Sequence, residues 1–153
     1  MSYTPGLRSK ESVERAFLKL VNSTDRVVDV YWINYASKLI RYTTMPPHTE
    51  VSLDTYSTHP WIFRDNRTSE MLHVKNQEVF WPEPWILTRL RARTFIHIHL
   101  PMKSLKLTCI WKTVSLVQTA EAIDQLEIPK CLIDELHEVH KTFEDYRESL
   151  EKI

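Results

Sequence analysis

The chain has 153 residues, 42% hydrophobic and 26% charged, an ordinary mixture for a soluble protein with one core, or a main core and a small satellite. Its zero net charge hides an asymmetry, 16 Lys and Arg against 10 Asp and Glu in residues 1–118 but 4 against 10 in residues 119–153; the basic part is too dilute for a nucleic-acid footprint, although it favours acidic peptides. The single glycine, Gly6, excludes a Gly-rich phosphate loop, a dinucleotide fingerprint and a Gly-flanked nucleophile elbow.

Residues 1–12 read as a flexible segment without the basic-then-apolar pattern of a signal peptide, and no apolar run approaches a membrane span. A cytoplasmic and nuclear protein is expected, with Cys109 and Cys131 as free thiols. Short stretches that alternate, or run apolar with β-branched and aromatic residues, then fall at roughly 15–21, 27–35, 38–42, 49–55, 60–64, 71–74, 77–81 and 94–100. Turn-forming clusters that manage without glycine separate them: Asn22-Ser23-Thr24-Asp25, Pro46-Pro47-His48, Asn66-Arg67-Thr68-Ser69 and Lys75-Asn76-Gln77. Strands at this spacing predict an antiparallel sandwich over residues 13–102.

Within that region, Thr55 through Asp65, taken with Trp32 and Tyr42, gathers aromatic walls, a hydroxyl and an imidazole. Trp and Tyr offer flat faces to saturated C–H surface, and Thr and neutral His each make a directed hydrogen bond, a combination suited to a small ring with one polar group. The plainer alternative is a sandwich core with one satisfied polar pair. Residues 82–93, with Pro82, Pro84 and Arg89, Arg91 and Arg93, read as a longer loop.

After Pro101 the period becomes helical. Ser104 caps a helix whose apolar positions divide between two faces: Leu107, Ile110 or Trp111, Val114 and Val117 on one, Leu105 and Cys109 on another. A small satellite buries one stripe internally, so the second implies a partner helix or groove, with wide burial inside the chain's own bundle as the alternative. Residues 119–127 form a short helix or linker. The last helix starts at Pro129 and carries a seam of Leu132, Leu136, Val139, Phe143, Tyr146 and Leu150, which must pack on something because a short isolated helix is marginal in water.

Catalytic and metal readings are weaker. Thr55, His59 and Asp65 could be arranged as nucleophile, base and orienter, but no oxyanion-forming glycine loop accompanies them. His97 and His99 share a strand face and His137 and His140 a helical turn, yet neither pair has a third ligand nearby, so no metal site is expected.

The runs Val30-Tyr31-Trp32-Ile33-Asn34-Tyr35, Tyr42-Thr43-Thr44-Met45-Pro46-Pro47 and Thr55 through Asp65 resemble the β domain of the von Hippel–Lindau family, matching its spacing from Trp32 to Tyr42, Thr55, His59 and Trp61 without a gap. A weaker likeness continues through Ser104-Leu105-Lys106-Leu107-Thr108-Cys109 and the acidic last helix, so it covers nearly the whole chain. The resemblance implies a mainly β plus α fold: an N-terminal antiparallel β sandwich, then a small C-terminal helical domain over residues 103–153. It implies a non-catalytic substrate receptor of a cullin–RING ubiquitin ligase, without cofactor. That receptor binds hydroxyproline in the α subunits of hypoxia-inducible factors and promotes their destruction when oxygen is plentiful.

By the same resemblance Trp32, Tyr42 and Trp61 would enclose the pyrrolidine ring, Thr55 and His59 would bond its hydroxyl, and Asp54 and Tyr56 would complete the substrate site. Leu105, Cys109 and Thr113 fall in the box by which this family binds elongin C, with its partner elongin B. Ile128, Pro129, Leu132 and Leu136 resemble the cullin-selecting box, and the cullin brings its RING protein. Departures from the family pattern are Thr55 for a serine, Asp54 for a histidine, Glu11 and Val13 for an amide and a basic residue, Pro60 for an aliphatic, and Thr113 for an aliphatic in the elongin box. A β-sandwich module binding a glycan or an unmodified peptide on its aromatic patch is the competing reading, because sugar rings also stack on Trp and Tyr.

Overall fold

A computed structural model describes residues 6–85 and 92–151, apart from the side chains of residues 146 and 149–151. Two compact units emerge. One contains Met71–Pro101 and the chain up to Arg67; the other contains Thr68–Glu70 and the chain from Met102.

The first unit is built from β1 (Arg15–Asn22), β2 (Val28–Ile33), β3 (Leu39–Met45), β4 (Glu50–Tyr56), β5 (Trp61–Asp65), β6 (Met71–Leu72), β7 (Val79–Phe80) and β8 (Thr94–Ile98). One sheet has the order β4-β1-β8 and the other β3-β2-β5-β6, with β7 also on β5. Inward positions of β1 alternate as its sequence does, so Ala16, Leu18 and Leu20 join Val28, Val30, Leu53, Phe63, Leu72, Ile96 and Ile98 in a common core. The sandwich differs from the expected antiparallel one in a single pairing: β8 runs parallel to β1, with Leu18 opposite Thr94 and Asn22 opposite Ile98. Alternation reveals which face of a strand is buried but not its direction, so the sequence pattern could not distinguish the two.

The turns show how a chain with one glycine reverses direction. Lys75 and Asn76 both take positive φ, 51° and 61°, between Val74 and Gln77, which exchange backbone hydrogen bonds of 3.0 Å in a two-residue hairpin. Buried Asn22 organises the β1–β2 turn. Its amide donates to the carbonyls of Arg26, Met45 and Pro46 at 2.8, 3.2 and 2.9 Å, and its oxygen accepts from the Thr24 backbone and hydroxyl. Of the expected long loop, residues 82–85 and 92–93 carry no regular structure and residues 86–91, including Arg89 and Arg91, lie outside the described residues.

The second unit holds α1 (Leu105–Val117), α2 (Ala120–Asp124) and α3 (Lys130–Glu151). The Ser104 hydroxyl accepts from the Leu107 amide at 3.2 Å, the N-cap expected of it. Gln118 ends α1 in the left-handed region, φ 66°, with its amide bonded back to Val114. Ile110, Val114, Ile123, Leu136 and Phe143 form the core, flanked by Trp111, Val117, Ile133 and Val139. Leu136, Val139 and Phe143 of the α3 seam pack as their spacing required, whereas Leu132 lies outside this cluster, Leu107, assigned to the inner stripe, stays partly exposed, and Tyr146 and Leu150 have no described side chains. No helix among the described residues is long and apolar enough to cross a membrane.

Candidate functional site

Six of the seven residues proposed for substrate binding meet at one end of the sandwich. Trp32 on β2 and Trp61 on β5 are directly opposite in the antiparallel ladder and therefore share a face. Tyr42 joins them through an irregularity in β3: Arg41 pairs with Tyr31 and Thr43 with Val30, leaving Tyr42 as the extra residue of a β-bulge. A bulge re-aims its side chain, and here the Tyr42 ring meets Trp61 edge-on, centroids 5.5 Å apart.

The polar groups come from β4 and the loop after it. Thr55 is 6% exposed and accepts a hydrogen bond from the Trp61 indole N–H at 3.1 Å, leaving its own O–H to donate. His59, 7% exposed, stacks on Trp32 at 5.3 Å and 28° and lies 5.1 Å from the Tyr56 ring. Its Nε2 sits 3.1 Å from both the Ser12 and the Tyr35 hydroxyls, whereas Nδ1 has no partner among the described residues. Burial lowers the imidazole pKa, so at neutral pH the ring is uncharged and offers one nitrogen as donor and the other as acceptor.

Asp54 does not join this group. Strand alternation places it on the opposite face of β4 from Thr55, where the Arg93 guanidinium bonds its carboxylate at 2.5 Å. Asp65 stands at the far end of β5, about 13 Å along the strand from Trp61. Its carboxylate receives Arg26 and the Arg67 amide, so it has no part in a triad with His59. The suspected histidine pairs are likewise used locally: His97 with Ser23, His99 with Asn76 and Leu100, His137 with Asp124, and His140 with the Gln118 carbonyl. Among the described residues no three His, Cys, Asp or Glu side chains gather as a metal site.

The inner layer behind the pocket was missed from sequence. Ser9 is buried, accepts the Trp32 indole N–H at 2.7 Å and donates to the Ile33 carbonyl at 2.6 Å, which fixes the tilt of that aromatic wall. Its backbone bonds Asn34, and Lys10 bonds Thr58, so Ser9 through Ser12 are attached to the sandwich although they precede β1. A serine ahead of a strand looks like loop; the only sequence signal was its place within a Ser-rich approach to the first strand.

On the helical unit, Leu105 is 81% exposed and Cys109 is exposed beside it. Leu116, 69% exposed and not singled out from sequence, extends that line because positions 105, 109, 112 and 116 follow one helix face. The Thr113 hydroxyl donates to the Cys109 carbonyl at 2.8 Å, so its polarity is satisfied within the helix. Of the proposed cullin-contacting residues, Ile128 and Pro129 are exposed and Leu132 is half-buried, but Leu136 is 2% exposed and belongs to the helical core.

A cluster of aromatic rings with two directed polar groups on the sandwich, and an exposed apolar line on the helical unit, are features that suit a recognition protein. Residues 7–86 match the family model described as the VHL beta domain. The chain is also similar to Protein Vhl of Drosophila melanogaster, 32% identical over 145 residues, covering 85% of this chain and 80% of that protein. It belongs to the VHL family and is a VHL-like substrate receptor.

Proposed function

We propose that this chain recognises 4-hydroxyproline in the α subunits of hypoxia-inducible factors and presents them to an elongin–cullin ubiquitin ligase, performing no chemistry itself. The observation that carries this reading is the incomplete pairing of two enclosed polar groups, the Thr55 O–H and the His59 Nδ1, between the faces of Trp32, Tyr42 and Trp61. A pyrrolidine ring offers C–H surface to such walls, and one hydroxyl on it completes both groups. β4 supports a peptide over a glycan, since as an edge strand it has one side free among the described residues to hydrogen-bond an extended backbone. Asp54, facing away from the pocket, would contribute through its backbone, and Tyr56 beside His59 would border the peptide.

Leu105, Cys109, Thr113 and Leu116 would enter a groove of elongin C, whose partner is elongin B, and Ile128, Pro129 and Leu132 would meet the cullin with its RING protein. Titration of hydroxylated and plain proline peptides, with mass spectrometry of proteins captured by the full chain, tests the two halves. The expected results are preference for the hydroxylated peptide and recovery of elongin B, elongin C and a cullin. Equal affinity for both peptides, or binding of a sugar in their place, would overturn the first half.

A further inference from the structure

Tyr35 lies outside the ring-binding group, yet the chain takes care to place it. It occupies the turn between β2 and β3, where the Asn34 side-chain oxygen accepts from the amides of Ala36 and Lys38, both at 2.9 Å, and Ser37 takes φ 60°. From that turn the Tyr35 ring meets both Trp32 and His59 edge-on, at 5.8 and 5.5 Å. Its hydroxyl stands 2.8 Å from Ser12 Oγ and 3.1 Å from His59 Nε2, and Ser12 Oγ is also 3.1 Å from that nitrogen. Three polar atoms thus form a closed triangle around one side of a ring already held by Trp32 and Tyr56.

The chemistry of the three atoms orders the protons. A phenol is the most acidic donor of the set and its oxygen, conjugated with the ring, is a weak acceptor; an unprotonated imidazole nitrogen is a strong acceptor. Both hydroxyl protons can be used inside the triangle only when Nε2 accepts, and the acidities favour Ser12 donating to Tyr35 and Tyr35 donating to Nε2. A proton on Nε2 would itself take one edge of the triangle and turn at least one hydroxyl proton elsewhere.

We infer that Tyr35, seconded by Ser12, is a positioning residue that holds His59 as its Nδ1–H tautomer, so that the nitrogen not bonded to Ser12 and Tyr35 meets a ligand hydroxyl as a donor. The inference rests on the proposed role of His59 in hydroxyl recognition, and it makes that role directional. The ligand oxygen then accepts from both Nδ1–H and the Thr55 O–H, whose own oxygen already accepts from Trp61.

The test is nitrogen NMR of the histidine-labelled full chain, in which ring correlations distinguish the tautomers, combined with titration of hydroxylated and plain proline peptides. Tyr35→Phe keeps the edge-on ring and removes only the hydroxyl. Wild type is expected to show His59 as Nδ1–H. The variant is expected to shift toward the Nε2–H form and lose about tenfold in affinity for the hydroxylated peptide, with the plain peptide unchanged. Ser12→Ala should move both readouts in the same direction by less. An Nε2–H ring in wild type, or an unchanged tautomer and unchanged peptide ratio in Tyr35→Phe, overturns the inference. A wild-type protein indifferent to the hydroxyl would instead overturn the ligand assignment, and the NMR result would still judge Tyr35.

Discussion

The Trp61 indole donates to the Thr55 hydroxyl across 3.1 Å, and in doing so ties β5 of one sheet to β4 of the other. Trp61 is therefore both a wall of the pocket and the group that orients its hydroxyl, while His59 is oriented independently by Ser12 and Tyr35.

This division predicts different outcomes for the two residues. A plain proline leaves the Thr55 and His59 groups desolvated and unpaired, a penalty of roughly 1–3 kcal/mol each, so the hydroxylated peptide should bind on the order of 10² to 10⁴ more tightly. His59→Ala should remove most of that preference by weakening the hydroxylated peptide alone. Trp61→Ala should weaken both peptides, because each loses ring contact, and should also erode the preference through Thr55. Calorimetric titration of both peptides against both variants separates these patterns.

Most of the sandwich was legible because inward residues of β1 and β4 alternate without interruption, and the turns announced themselves by Asn, Asp, Ser and Pro. The site was legible only in part. Tyr42 is carried by a bulge, which breaks the period that would have placed it, and the parallel course of β8 leaves no trace in alternation. Ser9, Ser12 and Tyr35 act through tertiary contacts with residues 23 or more positions away, which local pattern does not encode. Leu116 is less legible for a different reason: Lys112 stands between it and Cys109 on the same helix face and interrupts the apolar pattern.

That exposed line yields a second prediction. Leu105→Glu or Leu116→Glu should each reduce elongin C binding at least tenfold by placing a charge in an apolar contact, while peptide affinity stays within twofold of wild type. Thr113→Val should be close to neutral for elongin C, since the hydroxyl it removes is already bonded to the Cys109 carbonyl. Surface plasmon resonance with the elongin pair and with the peptide reads both. Parallel loss of the two activities in Leu116→Glu would show that the residue serves folding, not docking.

Stability should be most sensitive at Asn22. Replacing it with Ala leaves the Met45 carbonyl and the Thr24 amide and hydroxyl without this buried partner, and buried unsatisfied groups cost about 1–3 kcal/mol each. A loss of about 3 kcal/mol or more in urea unfolding is expected. Gln118→Gly should act in the opposite direction, by up to about 1 kcal/mol, because glycine takes the left-handed conformation without the Cβ penalty.

The last prediction concerns pH. Burial lowers the His59 pKa below its usual 6.5, so the unfolded chain takes up this proton first as pH falls. The stability tied to the neutral ring is therefore complete above about 6.5, declines as pH drops from there toward the folded-state value, and changes no further below it. His73, also lowered chiefly by burial, adds a decline of the same sign that begins at the same upper end. Peptide binding should follow a displaced version of this curve. With the neutral ring paired to Tyr35 and Ser12, affinity for the hydroxylated peptide should stay level from pH 8 to about 6.5 and fall only once the folded protein itself protonates His59, whereas the plain peptide should show a much shallower response. Titrations at stepped pH, alongside His73→Gln to remove the second group, isolate the contribution of His59. A fall in affinity beginning well above pH 6.5 would contradict the lowered pKa.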